Sequence, residues 1–177
     1  MSRISEVSST AAQQGRKLLI PYLVAGDPDL EKTLKLMHQL VDDGADIIEL
    51  GVPFSDPSSD GPVIQKGVER ALSRGTTLVE VLALVADFRT TNKHTAIVLM
   101  GYLNLVERMG YAHIVEGASS AGVDGVLIVD LPPSEASAIK PLMDAKGIDT
   151  IFLVAPTTTD ARAAQIAANC TGYLYYV

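Results

Sequence analysis

Apolar residues fall into two regimes along this chain. Leu30, Leu34, Met37 and Val41 recur at three- and four-residue spacing, the stripe of an amphipathic helix. The runs Ile47-Ile48-Glu49-Leu50, Val126-Leu127-Ile128-Val129 and Ile151-Phe152-Leu153-Val154 are short and almost continuously apolar, as strands buried on both faces are. Each follows a Gly-x-Asp turn: Gly44-Ala45-Asp46, Gly122-Val123-Asp124 and Gly147-Ile148-Asp149. A helix-stopping glycine, a polar turn and a β-branched run thus form a weak internal repeat. The pattern predicts helix 3–14, strand 18–25, helix 29–43, strand 46–51, helices 61–73 and 77–91, and strand 96–101. A helix within 104–120, strand 125–130, helix 134–146, strand 149–155, helix 159–169 and strand 172–177 complete it.

Strands that each return through a helix are parallel and covered on both sides. Strand spacing is even except after the second strand, where a Pro- and Ser-rich loop and an extra helix are inserted. Loops after strand carboxyl ends host function in βα repeats, so the insertion lies on the active face. Two architectures fit: a doubly wound open sheet, or a (β/α)8 TIM barrel of which residues 1–177 supply about the first six βα units as one domain. Ala25-Gly26-Asp27-Pro28 after the first strand is a turn and lacks the Gly-x-Gly-x-x-Gly fingerprint of dinucleotide folds. The chain also stops within a strand, at Tyr173-Leu174-Tyr175-Tyr176-Val177. The barrel is the expectation, ending before strands seven and eight.

Glu49 stands where a buried strand wants Val or Ile, and an unpaired charge there costs several kcal/mol, on the order of 3–5. Such costs concentrate where chemistry needs a shifted pKa. Alternation puts Ile47, Glu49 and Gly51 on one face, with small Gly51 leaving room for a ligand. The structural alternative pairs Glu49 with an interior cation, yet no Lys or Arg lies inside a predicted strand. Asp60 follows at the end of Pro53-Phe54-Ser55-Asp56-Pro57-Ser58-Ser59. It is either a second catalytic carboxylate or the N-cap of a helix opening with Gly61-Pro62. Asp56, before Pro57, suits an Asx-type turn. Tyr175 is either core or a positioning group whose hydroxyl seeks a partner.

Charge and composition narrow the chemistry. A net charge of −7 argues against nucleic acid or an anionic membrane as partner. The single cysteine, Cys170, fits a reducing cytoplasm, and neither a signal peptide nor a membrane-spanning stretch is evident. Lys32, Lys35, Lys66, Lys93, Lys140 and Lys146 fall on predicted helices or connections, away from where a Schiff-base lysine belongs. His38 and His113 lie on helices and His94 before the third strand, so no metal set gathers at strand carboxyl ends.

Ile48-Glu49-Leu50-Gly51-Val52-Pro53-Phe54-Ser55-Asp56-Pro57, followed by Asp60-Gly61-Pro62-Val63-Ile64-Gln65, closely resembles the signature of the tryptophan synthase alpha subunit family. Pro21 to Pro28, Met100-Gly101-Tyr102-Leu103-Asn104, Asp130-Leu131-Pro132-Pro133 and Tyr173 to Val177 resemble its strand ends, so the likeness covers essentially the whole chain. Ser58-Ser59 replaces a more usual Leu-Ala pair, and Leu105 stands where many members have Pro.

The resemblance implies a TIM barrel that splits indole-3-glycerol phosphate into indole and glyceraldehyde 3-phosphate. It makes Glu49 the general acid/base, Asp60 the second catalytic carboxylate, and Tyr175, Tyr22, Met100 and Leu127 substrate-lining groups. The implied partner is a pyridoxal phosphate-bearing beta subunit in an α2β2 assembly, met by Pro53, Asp56 and Asn104. No cofactor or metal is expected in this chain. Two rivals remain: a phosphosugar isomerase or epimerase using Glu49 as base, and a non-catalytic activator of a beta-type subunit. The 177-residue piece alone is expected to lack appreciable lyase activity.

Overall fold

The computed structural model describes residues 2–177. Its strands are β1 (Tyr22–Val24), β2 (Ile47–Gly51), β3 (Ala96–Gly101), β4 (Gly125–Ile128), β5 (Asp149–Val154) and β6 (Leu174–Tyr176). All five pairings are parallel, and the order across the sheet is the order along the chain. A doubly wound sheet reverses direction at a switch point. Here nothing reverses, and the sheet is singly wound, as in a TIM barrel.

Among the described residues, eight α-helices flank it: α1 (Arg3–Gln13), α2 (Leu30–Asp42), α3 (Pro62–Ser73), α4 (Leu78–Thr91), α5 (Leu103–Met109), α6 (Tyr111–Ala121), α7 (Lys140–Lys146) and α8 (Asp160–Asn169). The large apolar cluster lies between sheet and helices, with Ile48, Leu50, Ile97, Leu99 and Phe152 meeting Met37, Val85, Phe88 and Met143. The opposite face gathers Ile47, Ala96, Val98, Leu127 and Ile151, with Ile4 of α1 packed among them. One period-2 pattern thus fills both layers of each strand.

The repeat's glycines do stop helices. Gly122 and Gly147 adopt the left-handed conformation, at φ +86° and +67°, which a Cβ would strain. The aspartates that follow pin the amino-end face of the sheet. Asp46 accepts from Arg16 and the Leu19 amide, Asp124 from Arg3, Arg89 and the Ile97 amide, and Asp149 from Ser2.

Several bounds differ from the sequence expectation. β1 is regular only from Tyr22: the Leu19 and Pro21 carbonyls already accept the Asp46 and Glu49 amides, but Pro21 has no amide hydrogen with which to continue the ladder. The helix expected within 104–120 is two, broken at Gly110 with φ +88°. The helix expected over 134–146 is a 3-10 turn, Pro133–Ala138, followed by α7, with Pro141 in the first turn. β6 is confined to three residues.

Candidate active site

β2 carries Glu49 inward, with its backbone held between β1 and β3 in register with Tyr22 and Val98. The residue is 3% exposed. Its side-chain partner is a phenol: the Tyr173 hydroxyl donates to Glu49 Oε1 at 2.5 Å. Desolvation pushes the Glu49 carboxyl above the usual carboxylate range, and the Tyr173 hydrogen bond partly opposes this. Burial, reinforced by the neighbouring carboxylate, in turn raises Tyr173 far above an ordinary phenol.

Asp60 is held differently. The Pro57 carbonyl accepts its backbone amide, and Gln65 Nε2 donates to its carbonyl at 2.9 Å. The Tyr102 hydroxyl donates to Asp60 Oδ2 at 2.8 Å while accepting the Ser59 amide at 3.0 Å. The N-cap of α3 is Gly61, with no side-chain cap bond. Asp60 therefore does not cap the helix; its carboxylate is aimed at the cleft rim. Phe54 packs against the Tyr102 ring, with centroids 5.2 Å apart.

Tyr22 and Tyr175 each feel both acids. Burial is the main cause raising both phenols, and the charges of Glu49 and Asp60 raise each further. The room expected beside Gly51 is taken by Tyr22: a Cβ on Gly51 would overlap its ring and hydroxyl. Gly51 thus serves a close approach of protein to protein. Among the described residues neither carboxylate forms a salt bridge; hydroxyls meet both.

The cleft is lined by Tyr22, Asp60, Met100 and Tyr102, with Phe54 and Val129. Leu127, at the register level of Gly51 and Met100, is fully buried and does not line the cleft, nor do Glu49 and Tyr175. Pro53 and Asn104 share a groove of about 540 Å³ with Phe54, Leu78 and Arg108, outside the cleft. Asp56 is exposed beside it and accepts from the Ser55 hydroxyl at 2.6 Å. Tyr173 and Tyr102 were not singled out in the sequence. The alternation that marks Tyr175 puts Tyr173 on the same face, a signal that could have found it. Tyr102's contact with Asp60 spans 42 residues and has no local signal.

No three His, Cys, Asp or Glu side chains among the described residues are grouped to hold a metal ion. No lysine among them lies in a strand.

Fold and site together define a singly wound βα protein of the TIM-barrel class, with Asp60 on the wall of a cleft and a second carboxylate, Glu49, buried beside Tyr173; the charge of both acts on Tyr22 and Tyr175. The chain belongs to the tryptophan synthase alpha chain family, whose model matches residues 8–177. It is 58% identical, over all 177 residues, to the tryptophan synthase alpha chain of Marinobacter nauticus, and spans 66% of that relative's length. The crystal structure of tryptophan synthase subunit alpha from Legionella pneumophila superposes over the whole chain with a TM-score of 0.96. It is 46% identical, and 68% of it is covered. A structure concerned with mutual activation of the tryptophan synthase α2β2 complex from Pyrococcus furiosus matches 90% of this chain and 67% of its own, at 45% identity and a TM-score of 0.86.

Proposed function

We propose that this chain carries the acid–base site of an indole-3-glycerol-phosphate lyase, cleaving its substrate to indole and glyceraldehyde 3-phosphate. The observation that carries the reading is the unlike setting of two carboxylates whose charges act on the same two tyrosines, Tyr22 and Tyr175: Glu49 buried against a phenol, Asp60 in a polar loop at the cleft. Burial raises the Glu49 pKa, which favours the protonated form that can act as an acid. Glu49 gives its proton to indole C3, forming an indolenine cation. The bond from C3 to the glycerol chain then breaks, and its electron pair returns to the ring. The adjacent hydroxyl loses its proton to Glu49 as its carbon becomes the aldehyde. Asp60 accepts from the indole N–H and stabilises the cation. Tyr22 and Tyr175 wall the ring.

The indolenine is its own electron sink, so the reaction needs neither metal nor Schiff base. The absence of strand lysines and of a grouped ligand set among the described residues suits that chemistry. The partner is a pyridoxal phosphate-bearing beta subunit in an α2β2 assembly, received at the groove of Pro53 and Asn104 with Asp56 at its margin. The likeness to the Pyrococcus furiosus complex supports this. No cofactor is assigned to this chain. It acts in the cytoplasm, which suits the free thiol of Cys170; no helix among the described residues is long and apolar enough to cross a membrane.

The test completes the barrel with the remaining third of the Marinobacter nauticus relative and offers this full chain indole-3-glycerol phosphate in one reaction and a ketose phosphate in another. Indole release without turnover of the ketose supports the lyase. Isomerisation of the ketose without indole release replaces it with the phosphosugar reading.

A further inference from the structure

We propose that the Asp27–Arg70 ion pair is a positioning clamp that holds α3, and with it Asp60, against the cleft; this rests on the reaction proposed above. Asp27 lies in the loop between β1 and α2, and Arg70 on α3, 43 residues later. The contact is a two-pronged fork: Arg70 Nε donates to Asp27 Oδ1 and Nη2 to Oδ2, each at 2.7 Å. Such paired bonds fix orientation as well as distance.

Three observations give the pair a job beyond stability. First, its side chains are 55% and 21% exposed, and pairs that open to solvent add little to folding. Second, α3 has few other anchors. It rests chiefly on β1, through a small cluster of Val24, Val68 and Ala71 with Tyr22 and Ile64, separate from both main apolar clusters. Third, the helix makes room for the carboxylate. Gly67 lies within α3, where glycine is less favourable than alanine, and a Cβ there would come within 2.9 Å of Asp27 Oδ2.

What α3 carries explains the need. Its first residue follows Asp60-Gly61, and Gln65 ties the helix back to the Asp60 carbonyl. Val68, one turn further, lines the cleft beside Tyr22 and Tyr102. A tilt of α3 therefore moves the Asp60 carboxylate, one cleft wall and the packing of Tyr22 together. Asp27 and Arg70 touch no substrate; they act through Asp60.

The test compares Arg70→Gln, Asp27→Asn and the double variant in the full chain, by steady-state indole release and by amide hydrogen exchange over residues 56–66. Each single substitution is expected to lower kcat about tenfold or more while KM moves less than about threefold, since a small misplacement of a catalytic group is costly. The double variant is expected to lose no more than the worse single, because the two side chains act as one. Exchange over 56–66 is expected to quicken while that of β2 and β3 stays at the wild-type rate. Unchanged exchange over 56–66 in Arg70→Gln overturns the clamp, as does a kcat within about twofold of wild type in both singles. If the wild-type chain releases no indole, the functional reading falls, and the exchange measurement still decides whether the pair holds the segment.

Discussion

Among the described residues, Glu49 is a carboxyl whose one side-chain hydrogen bond comes from a neutral phenol, so ionising it leaves a charge in a buried site. That fixes the direction of its titration and of two measurable effects. The Tyr173 hydroxyl stabilises the anion, so Tyr173→Phe should raise the Glu49 pKa further. A reaction that begins with protonated Glu49 loses rate as pH climbs through that pKa, and the alkaline limb of the kcat profile should move upward in Tyr173→Phe. The second effect is on stability. The folded-state pKa of Glu49 lies above its ordinary value of 4.5, so its contribution is fully present below that value and is lost as pH rises through the folded pKa. Glu49→Gln carries no such loss. Its unfolding free energy, measured by urea titration, should gain on wild type between acid and mildly alkaline pH, by about 1.4 kcal/mol for each unit of pKa displacement.

Elements set how close the two acids and their tyrosines stand. β1 and β2 pair with Tyr22 opposite Glu49, and the Tyr22 ring leans over Gly51. Gly51→Ala should drive the ring aside, costing about 1–3 kcal/mol by denaturant unfolding and reducing indole release with it. The strand's inward face was legible from alternation alone, since a period of two fixes it wherever the run is unbroken. The use of the space at Gly51 was not legible, because it depends on a ring from another strand. Elsewhere a single residue decided the outcome. Gly110 lies inside an apolar pattern that continues through it, so the pattern predicted one helix, while its positive φ makes two. Asp60 shows the same limit. Its position before Gly61-Pro62 suited a cap, and only the fold brings the Tyr102 hydroxyl to its carboxylate.

Over the whole molecule, the strand count and parallel order followed from repeated Gly-x-Asp turns and buried runs, because those signals are local. The repeat's aspartates read as turn residues; their partners lie far off in sequence. Asp124 joins Arg89 and Arg3, 35 and 121 residues away, beneath α1 and the sheet. The Arg89 and Asp124 side chains are 10% and 5% exposed. Removing one partner of so buried a pair leaves the other's charge undercompensated. Arg89→Ala should therefore cost about 3–5 kcal/mol in chemical denaturation, far from the cleft. The chain belongs among tryptophan synthase alpha chains, and the proposed reaction requires Glu49 to move the proton. Glu49→Gln keeps shape and hydrogen-bonding capacity but cannot act as an acid at C3. The direct measurement is indole release from indole-3-glycerol phosphate by the Glu49→Gln full chain, with circular dichroism and unfolding checked alongside. The kcat of this variant is expected to fall roughly a hundredfold or more with folding intact. Indole release near the wild-type rate from a folded Glu49→Gln chain would contradict it.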